Sequence, residues 1–584
     1  MPSRSTTFGG RPIWVWVSIA SAVIVVGIVV AVVYIFLTAP DIGGAIVSNG
    51  GPCAEIGMKI MRKYGNVVDS MIATMVCDGV VTMNNMGIGG GFVATIYKAS
   101  ERKAYTINAR ETAPAAASRY MYYNDSVSSA MGGKSVAVPG ELRGYWEMYK
   151  RFGGDAPWKE LFIDTIRLIK RGAPINKHVA FNIKQNEAVI RANPGLHQLL
   201  LKEGTNELVR EGDVVRNLQL AETLTLIKDL GPDVIYNGTL THRLVQDIRE
   251  ARGIITEDDL AQYRVKWAKA DPEVIANKYM LYTTPAPSSG PILAFIMKAV
   301  TRWGQSKGYD QDKEDVSAIT EAFKFAYAQR ALLGDPQFTK VDEVLLKLKN
   351  EVFLSRVVRM LGQPHTSTDP SYYEYAGDYR ADHGTANIVA VGPNGDAVAA
   401  TSTINLIFGS KLVSKSTGII LNDQMDDFSS PGIVNYFGVQ PAENNAIQPG
   451  ARPVSSMCPT IFTDRETGRV RLVVGGAGGT RITTATALVS LRNLFFKRDL
   501  IEAINIPRYH HQLQDMFWAY ERHMSQDIID DMVDRGHNIS ELARYNSAVT
   551  AISVVGNDIL GSSDYRRLGN VSYYYPRKPL SGYY

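Results

Sequence analysis

The chain has 584 residues, of which 45% are hydrophobic and 21% charged, the composition of a folded globular protein. Its formal net charge is +4 and its Lys and Arg are scattered, so nothing marks a nucleic-acid binder. The three cysteines, Cys53, Cys77 and Cys458, are too few for a disulfide scaffold and lack the paired spacing of a zinc site.

In chain order, residues 1–12 read as a short cytoplasmic tail and residues 13–38 as a transmembrane signal-anchor helix. No charged residue occurs between Ile13 and Leu37. As a helix that run spans roughly 37 Å, more than the ~30 Å hydrocarbon core and longer than the apolar stretch of a cleaved signal. Arg4 and Arg11 precede it and no Lys or Arg follows until Lys59, which predicts an N-terminus in the cytosol and the remainder outside. Trp14, Trp16 and Tyr34 sit near its ends, where amphipathic rings favour the interface. The exported part carries N-glycosylation sequons at Asn124, Asn237, Asn538 and Asn570. In an oxidising compartment Cys53 and Cys77 either pair or remain two buried thiols, and the residues alone leave both open.

Beyond the anchor, Cys53 to Val81 has helical apolar spacing with a break at Gly65-Asn66. The glycine-rich run from Met86 leads into a strand ending near Tyr97, with Tyr105 to Ala109 as its antiparallel partner. Pro139 to Leu260 is mostly helical. Val316 to Leu333 is a further helix, with Ile319, Phe323, Tyr327 and Ala328 on one face. Gln363 to Asp382, rich in Pro, Ser, Thr, Tyr and Asp, reads as an exposed linker. Ala386 to Val391 and Ala397 to Thr403 flank the turn Gly392-Pro-Asn-Gly-Asp396 and predict a hairpin. A second hairpin runs from Thr460 to Val474, and Gly475 to Gly479 opens a helix from Ile482 to Phe496. Strands in the middle with helices on either side predict an α/β layered fold.

H-E-x-x-H, G-x-S-x-G and P-loop motifs are absent. The Gly87–Gly91 tract breaks the dinucleotide pattern at Phe92, so tight backbone packing is its expected role. The Gly475–Gly479 tract precedes a helix, where amides can bind an oxyanion or simply form a turn. Thr385 alone is an ordinary strand residue.

The ordered motifs are not ordinary. Asp382-His-Gly-Thr-Ala386, Ala400-Thr-Ser-Thr-Ile-Asn405, Asp423-Gln-Met-Asp-Asp-Phe-Ser-Ser430, Pro453-Val-Ser-Ser-Met-Cys-Pro-Thr460 and Gly476-Ala-Gly-Gly-Thr480 resemble the signatures of γ-glutamyltransferases, also called glutathione hydrolases. Ile107-Asn-Ala-Arg-Glu-Thr-Ala-Pro114, Ser135-Val-Ala-Val-Pro-Gly-Glu141 and Leu333-Gly-Asp-Pro336 extend the resemblance through the N-terminal part. It covers nearly everything from about residue 42 onward and is similar to the animal, membrane-anchored branch.

The resemblance implies an N-terminal nucleophile hydrolase, an αββα four-layer sandwich preceded by one transmembrane helix. It further implies a type II protein of the plasma membrane with its catalytic domain outside. The precursor would cut itself between Gly384 and Thr385 into a large subunit, residues 39–384 behind the anchor, and a small one, 385–584. Thr385 would be the nucleophile, its freed amine the base, Thr403 the residue orienting its hydroxyl, and the Gly478 and Gly479 amides the oxyanion hole. Arg110, Ser455 and Ser456 would hold the donor's carboxylate, and Asn405, Gln424 and Asp427 its ammonium. Gln424 stands where some animal members carry Glu, and His383 where some carry Gly. The resemblance pairs Cys53 with Cys77 and leaves Cys458 a buried free thiol. The expected substrates are glutathione, other γ-glutamyl compounds and amino acid or dipeptide acceptors, with no metal or organic cofactor and no nucleic acid. Two alternatives are a family member narrowed to glutathione conjugates such as leukotriene C4, and a catalytically silent ectodomain acting as a binding module.

Overall fold

In a computed structural model of the chain, residues 43–306, 315–375, 384–432, 442–514, 516–543 and 547–575 are described, with short pieces at 7–8, 11–12, 21 and 25–27. The chain divides into two units, Gly43–Tyr575 and a second made of Met1–Ile42 with Pro576–Tyr584. In the second unit Thr7–Phe8 pairs antiparallel with Arg11–Pro12. Apart from Ser21 and Val25 to Gly27, which are helical, the predicted membrane span 13–38 lies outside the described residues. Among those described, no helix is long and apolar enough to cross a membrane.

The Gly43–Tyr575 unit is built on two stacked sheets. The first has seven strands, in spatial order Asn570–Tyr574, Gly44–Ser48, Thr385–Val391, Ala397–Thr403, Gly91–Lys98, Lys103–Ala109 and Lys266–Ala270. The second has six, in order Asp558–Ser563, Ala548–Val555, Val470–Ala477, Thr460–Asp464, Tyr279–Tyr282 and Glu273–Ile275. Alternation along Thr385–Val391 shows why they stack. Ala386, Ile388 and Ala390 face the helices Cys53–Tyr64, Val67–Val81 and Glu141–Phe152. Val389 and Val391 meet Ile461, Val473 and Ile552 of the second sheet. With both faces covered, all seven residues of that strand are buried, so period-2 polarity disappears from the sequence. The outer face of the second sheet packs against the helices Gly290–Ser306, Val316–Arg330 and Arg481–Leu494. The layers are therefore helix, sheet, sheet, helix.

Local chemistry sets the boundaries. Gly65 takes the left-handed conformation (φ 74°) that ends the first helix, and the Asn66 side chain accepts from Val68 and Asp69 N–H to start the second. Cys53 and Cys77, on these two helices, are disulfide-bonded with Cα atoms 5.3 Å apart, and Cys458 is a buried free thiol. The helix Val316–Arg330 is buried around its whole circumference, Glu321, Lys324 and Gln329 included, beyond the apolar positions read from the sequence. The described part of the expected linker is exposed at Gln363, Thr368, Ser371 and Tyr372, as expected, but it is also anchored: Tyr373 is fully buried, its hydroxyl donates to Glu321 (2.8 Å), and Lys324 donates to Thr366 and to the Ser367 carbonyl. A buried carboxylate–ammonium pair supplied those polar residues with partners that composition could not reveal.

Candidate active site

Strand register gathers one group of residues at one end of the first sheet. Thr385 lies opposite Thr403, and Thr403 opposite Gly91. Ala109 lies opposite Phe92, so Arg110 emerges at the same end. The glycine tract before this end does pack tightly. A Cβ on Gly90 would lie 2.1 Å from the Thr403 carbonyl oxygen.

Gly384 precedes the strand with φ 80°, and a Cβ there would fall 2.4 Å from the Asn405 carbonyl oxygen, so glycine alone fits. The Thr403 hydroxyl donates to the Gly384 carbonyl at 2.6 Å and accepts from Asn405 N–H at 2.8 Å. In the continuous chain its single proton is thus committed to the carbonyl of the Gly384–Thr385 bond, not to the Thr385 hydroxyl.

The residues expected to bind a zwitterion also assemble. Arg110, 1% exposed, donates from Nε to Glu111 (3.0 Å) and from Nη2 to Asp427 (3.1 Å). Gln424 Nε2 donates to the same Asp427 oxygen. Burial lifts the Glu111 carboxyl above its ordinary range despite the Arg110 guanidinium beside it. Asn445 ties the Ser455 segment to this cluster, donating to the Asp427 carbonyl (2.7 Å) and accepting from Val454 N–H (2.9 Å). The Ser456 hydroxyl accepts from buried Arg330 (2.8 Å). Asn405 Nδ2 donates to the Asp423 carbonyl (3.1 Å), and burial pushes the Asp423 carboxyl up to about 8.

Gly478 (φ 125°) and Gly479 (φ 64°) form the turn between the strand Val470–Ala477 and the helix Arg481–Leu494. Among the described residues, neither amide donates to another main-chain carbonyl. A stitch between the sheets joins the strand Val470–Ala477 to the strand that Thr385 opens. A Cβ on Gly475 would collide with Asn387, whose side chain binds Thr550 (2.6 Å) and Thr401 (2.8 Å). Asn387, Glu111, Arg330 and Asn445 were not singled out from the sequence. Asn387 carried a signal, an amide within an otherwise apolar strand.

Two sheets stacked between helical layers, with Thr385 heading a strand of the first, make an α/β fold of the N-terminal nucleophile hydrolase type. Cephalosporin acylase from Bacillus halodurans has the same fold, with a TM-score of 0.77 and 20% identity over 91% of this chain and 95% of that one. The family described as gamma-glutamyltranspeptidase matches residues 53–574. The chain belongs to that family of enzymes. It is 39% identical over 532 residues to Scoloptoxin SSD14 of Scolopendra dehaani, covering 90% of this chain and 92% of the relative. It is 34% identical over 537 residues to Glutathione hydrolase proenzyme 1 of Schizosaccharomyces pombe, covering 90% and 83%.

Proposed function

We propose that the protein is a membrane-anchored γ-glutamyltransferase and glutathione hydrolase that matures by breaking its own Gly384–Thr385 bond. The observation that carries this is the Thr403 hydroxyl held 2.6 Å from the Gly384 carbonyl oxygen, at the head of the strand that Thr385 opens. The Thr385 hydroxyl attacks that carbonyl, the C–N bond breaks to free the Thr385 amine and leave an ester on the Thr385 oxygen, and water then releases the Gly384 carboxylate and the Thr385 hydroxyl. An α-amine of ordinary pKa, about 7.7–8, is partly neutral at pH 7 and can accept the hydroxyl proton.

In the mature enzyme Thr385 attacks the γ-amide carbonyl of the donor, and the Gly478 and Gly479 amides stabilise the oxyanion. With glutathione, cysteinylglycine leaves and a γ-glutamyl ester remains, which water or an amino acid or dipeptide acceptor resolves. The donor's carboxylate meets Arg110, with Ser455 and Ser456, and its ammonium meets Asp427, Gln424 and Asn405. The direct Arg110–Asp427 contact supports this reading, because a zwitterion inserted between them gives each charge a new partner.

The anchor is residues 13–38, placing the enzyme on the outer face of the plasma membrane. Glycan attachment fits Asn124, Asn237 and Asn538, all exposed. Asn570 is exposed too, but its amide is committed to the Gly51 carbonyl (2.7 Å).

The test is N-terminal sequencing of the smaller polypeptide, with release of a chromophore from a γ-glutamyl anilide. A small chain beginning at Thr385, with activity, supports the proposal. A folded protein that stays uncut and inactive overturns it in favour of a binding module.

A further inference from the structure

The strand Thr385–Val391 is paired along its whole length with Ala397–Thr403, but on its other side only Val389 to Val391 meet the strand Gly44–Ser48. The first residues therefore need other partners there. The Asn387 carbonyl takes Asn49 Nδ2 (2.9 Å) and the Thr550 hydroxyl (2.9 Å). The Thr385 carbonyl takes the Nη1 of Arg567. A neutral donor sufficed at Asn387, whereas a full positive charge stands at the nucleophile itself.

Arg567 lies in the turn that crosses from Asp558–Ser563 of the second sheet to Asn570–Tyr574 of the first. That turn is rigidly built. Arg567 and Leu568 N–H donate to the Asp564 carbonyl (3.0 and 3.1 Å). The Asp564 carboxylate accepts from Arg508 (2.6 Å) and Arg566 (3.0 Å), and Arg566 also binds Glu521. The aim of Arg567 at Thr385 is thus fixed by a buried ionic network.

We propose that Arg567 both positions Thr385 and, through its charge, keeps the freed Thr385 α-amine in the unprotonated form that serves as base. This rests on the reading that self-cleavage exposes that amine. A like charge disfavours the ammonium form. The groups around Arg567 leave its charge uncancelled. Asp564 is shared with Arg508 and Arg566. His178, from the helix Lys177–Gln185, is kept neutral by burial and by Arg567, and its Nε2 accepts from Asn182 (3.1 Å). Across the strand pair the carboxyl of Glu141 binds the Ser402 hydroxyl, and burial pushes it up to about 8, so it is largely protonated at neutral pH.

The experiment compares pH profiles of kcat/KM for wild type, Arg567→Gln and Arg567→Lys, each normalised to its own maximum so that incomplete maturation does not matter. Glutamine retains a donor to the Thr385 carbonyl without the charge. Its acidic limb is expected about one pH unit above wild type, while lysine keeps the limb in place. A purely structural arginine predicts lower activity in both variants with the limb unmoved, and that result overturns the proposal. Should Arg567→Gln fail to mature, carbamylation of the Thr385 amine by cyanate, followed by peptide mapping across pH in the wild-type enzyme, gives its pKa directly. A value below the ordinary 7.7–8 supports the proposal and one at or above it refutes it. Absence of any two-chain form in wild type would instead refute the self-cleavage reading, so the two failures are distinguishable.

Discussion

The hydroxyl of Thr403 makes the sharpest prediction. It is 4% exposed, donates to the Gly384 carbonyl at 2.6 Å and accepts from Asn405 N–H at 2.8 Å. Thr403→Val keeps the shape and removes both bonds. Stability should fall by about 1–3 kcal/mol, because the buried Asn405 N–H is left without a partner. Self-cleavage should suffer more, because charge develops on the Gly384 oxygen as its carbonyl is attacked. Losing one donor to such an oxygen costs about 100- to 1000-fold in rate. Thr403→Ser retains the hydroxyl and should mature within about tenfold of wild type. The assay is a time course of full-length chain converting to two bands on a denaturing gel, with a thermal melt to show that each variant is folded. Folded Thr403→Val maturing at the wild-type rate, or Thr403→Ser as slow as valine, would refute the argument.

Arg110→Met leaves Glu111 and Asp427 buried without their cation, which should cost about 3–5 kcal/mol of stability and raise the donor KM far more than it lowers kcat. Melting and steady-state kinetics on a γ-glutamyl anilide check both. Cys53→Ser opens a cross-link between residues 24 apart and should lower stability by about 3 kcal/mol, seen as a fall in Tm that reductant reproduces in wild type. The Asp564 carboxyl is raised by burial, but Arg508 and Arg566 more than offset this and hold it below its ordinary range. A depressed acid contributes stability above its unfolded pKa of about 3.9 and loses it as pH falls through the folded value. Wild type should therefore weaken below about pH 4, and Asp564→Asn should be less stable at pH 7 with a flatter acid limb in melts across pH.

Much of this was legible in the sequence, and the exceptions have physical causes. The hairpin Thr385–Thr403 and the break at Gly65-Asn66 were readable because turn and cap chemistry is local. The strands Gly44–Ser48 and Asn570–Tyr574 were not, since they pair with each other across the whole chain. The tyrosines Tyr573 and Tyr574 fall within an edge strand. The residues that meet around Asp427, namely Arg110 and Gln424, were each named through family motifs, and their use by a substrate is part of the proposal. The direct Arg110–Asp427 pair joins residues 317 positions apart, and no local pattern records that. Thr403 shows the limit best. The motif marked it as a partner of the nucleophile's hydroxyl, while the continuous chain gives its proton to the carbonyl before the nucleophile.

That difference orders the events. Thr385 is fixed by its register with Thr403, by Arg567 at its carbonyl, and by the Asn387 stitch two residues on. Breaking the bond before it disturbs none of these. Gly384 is held by the Thr403 hydroxyl and by a left-handed conformation pressed against the Asn405 carbonyl. Once its carbonyl becomes a carboxylate on a separate chain end, nothing covalent keeps it there. Upstream, the chain stays docked through Tyr373 and Thr366 on Glu321 and Lys324. In the proposed mechanism the Thr403 proton then turns toward the Thr385 hydroxyl, beside the Asn405 side chain, and one hydroxyl serves the cut first and the acyl transfer second, with the cut itself as the switch between them.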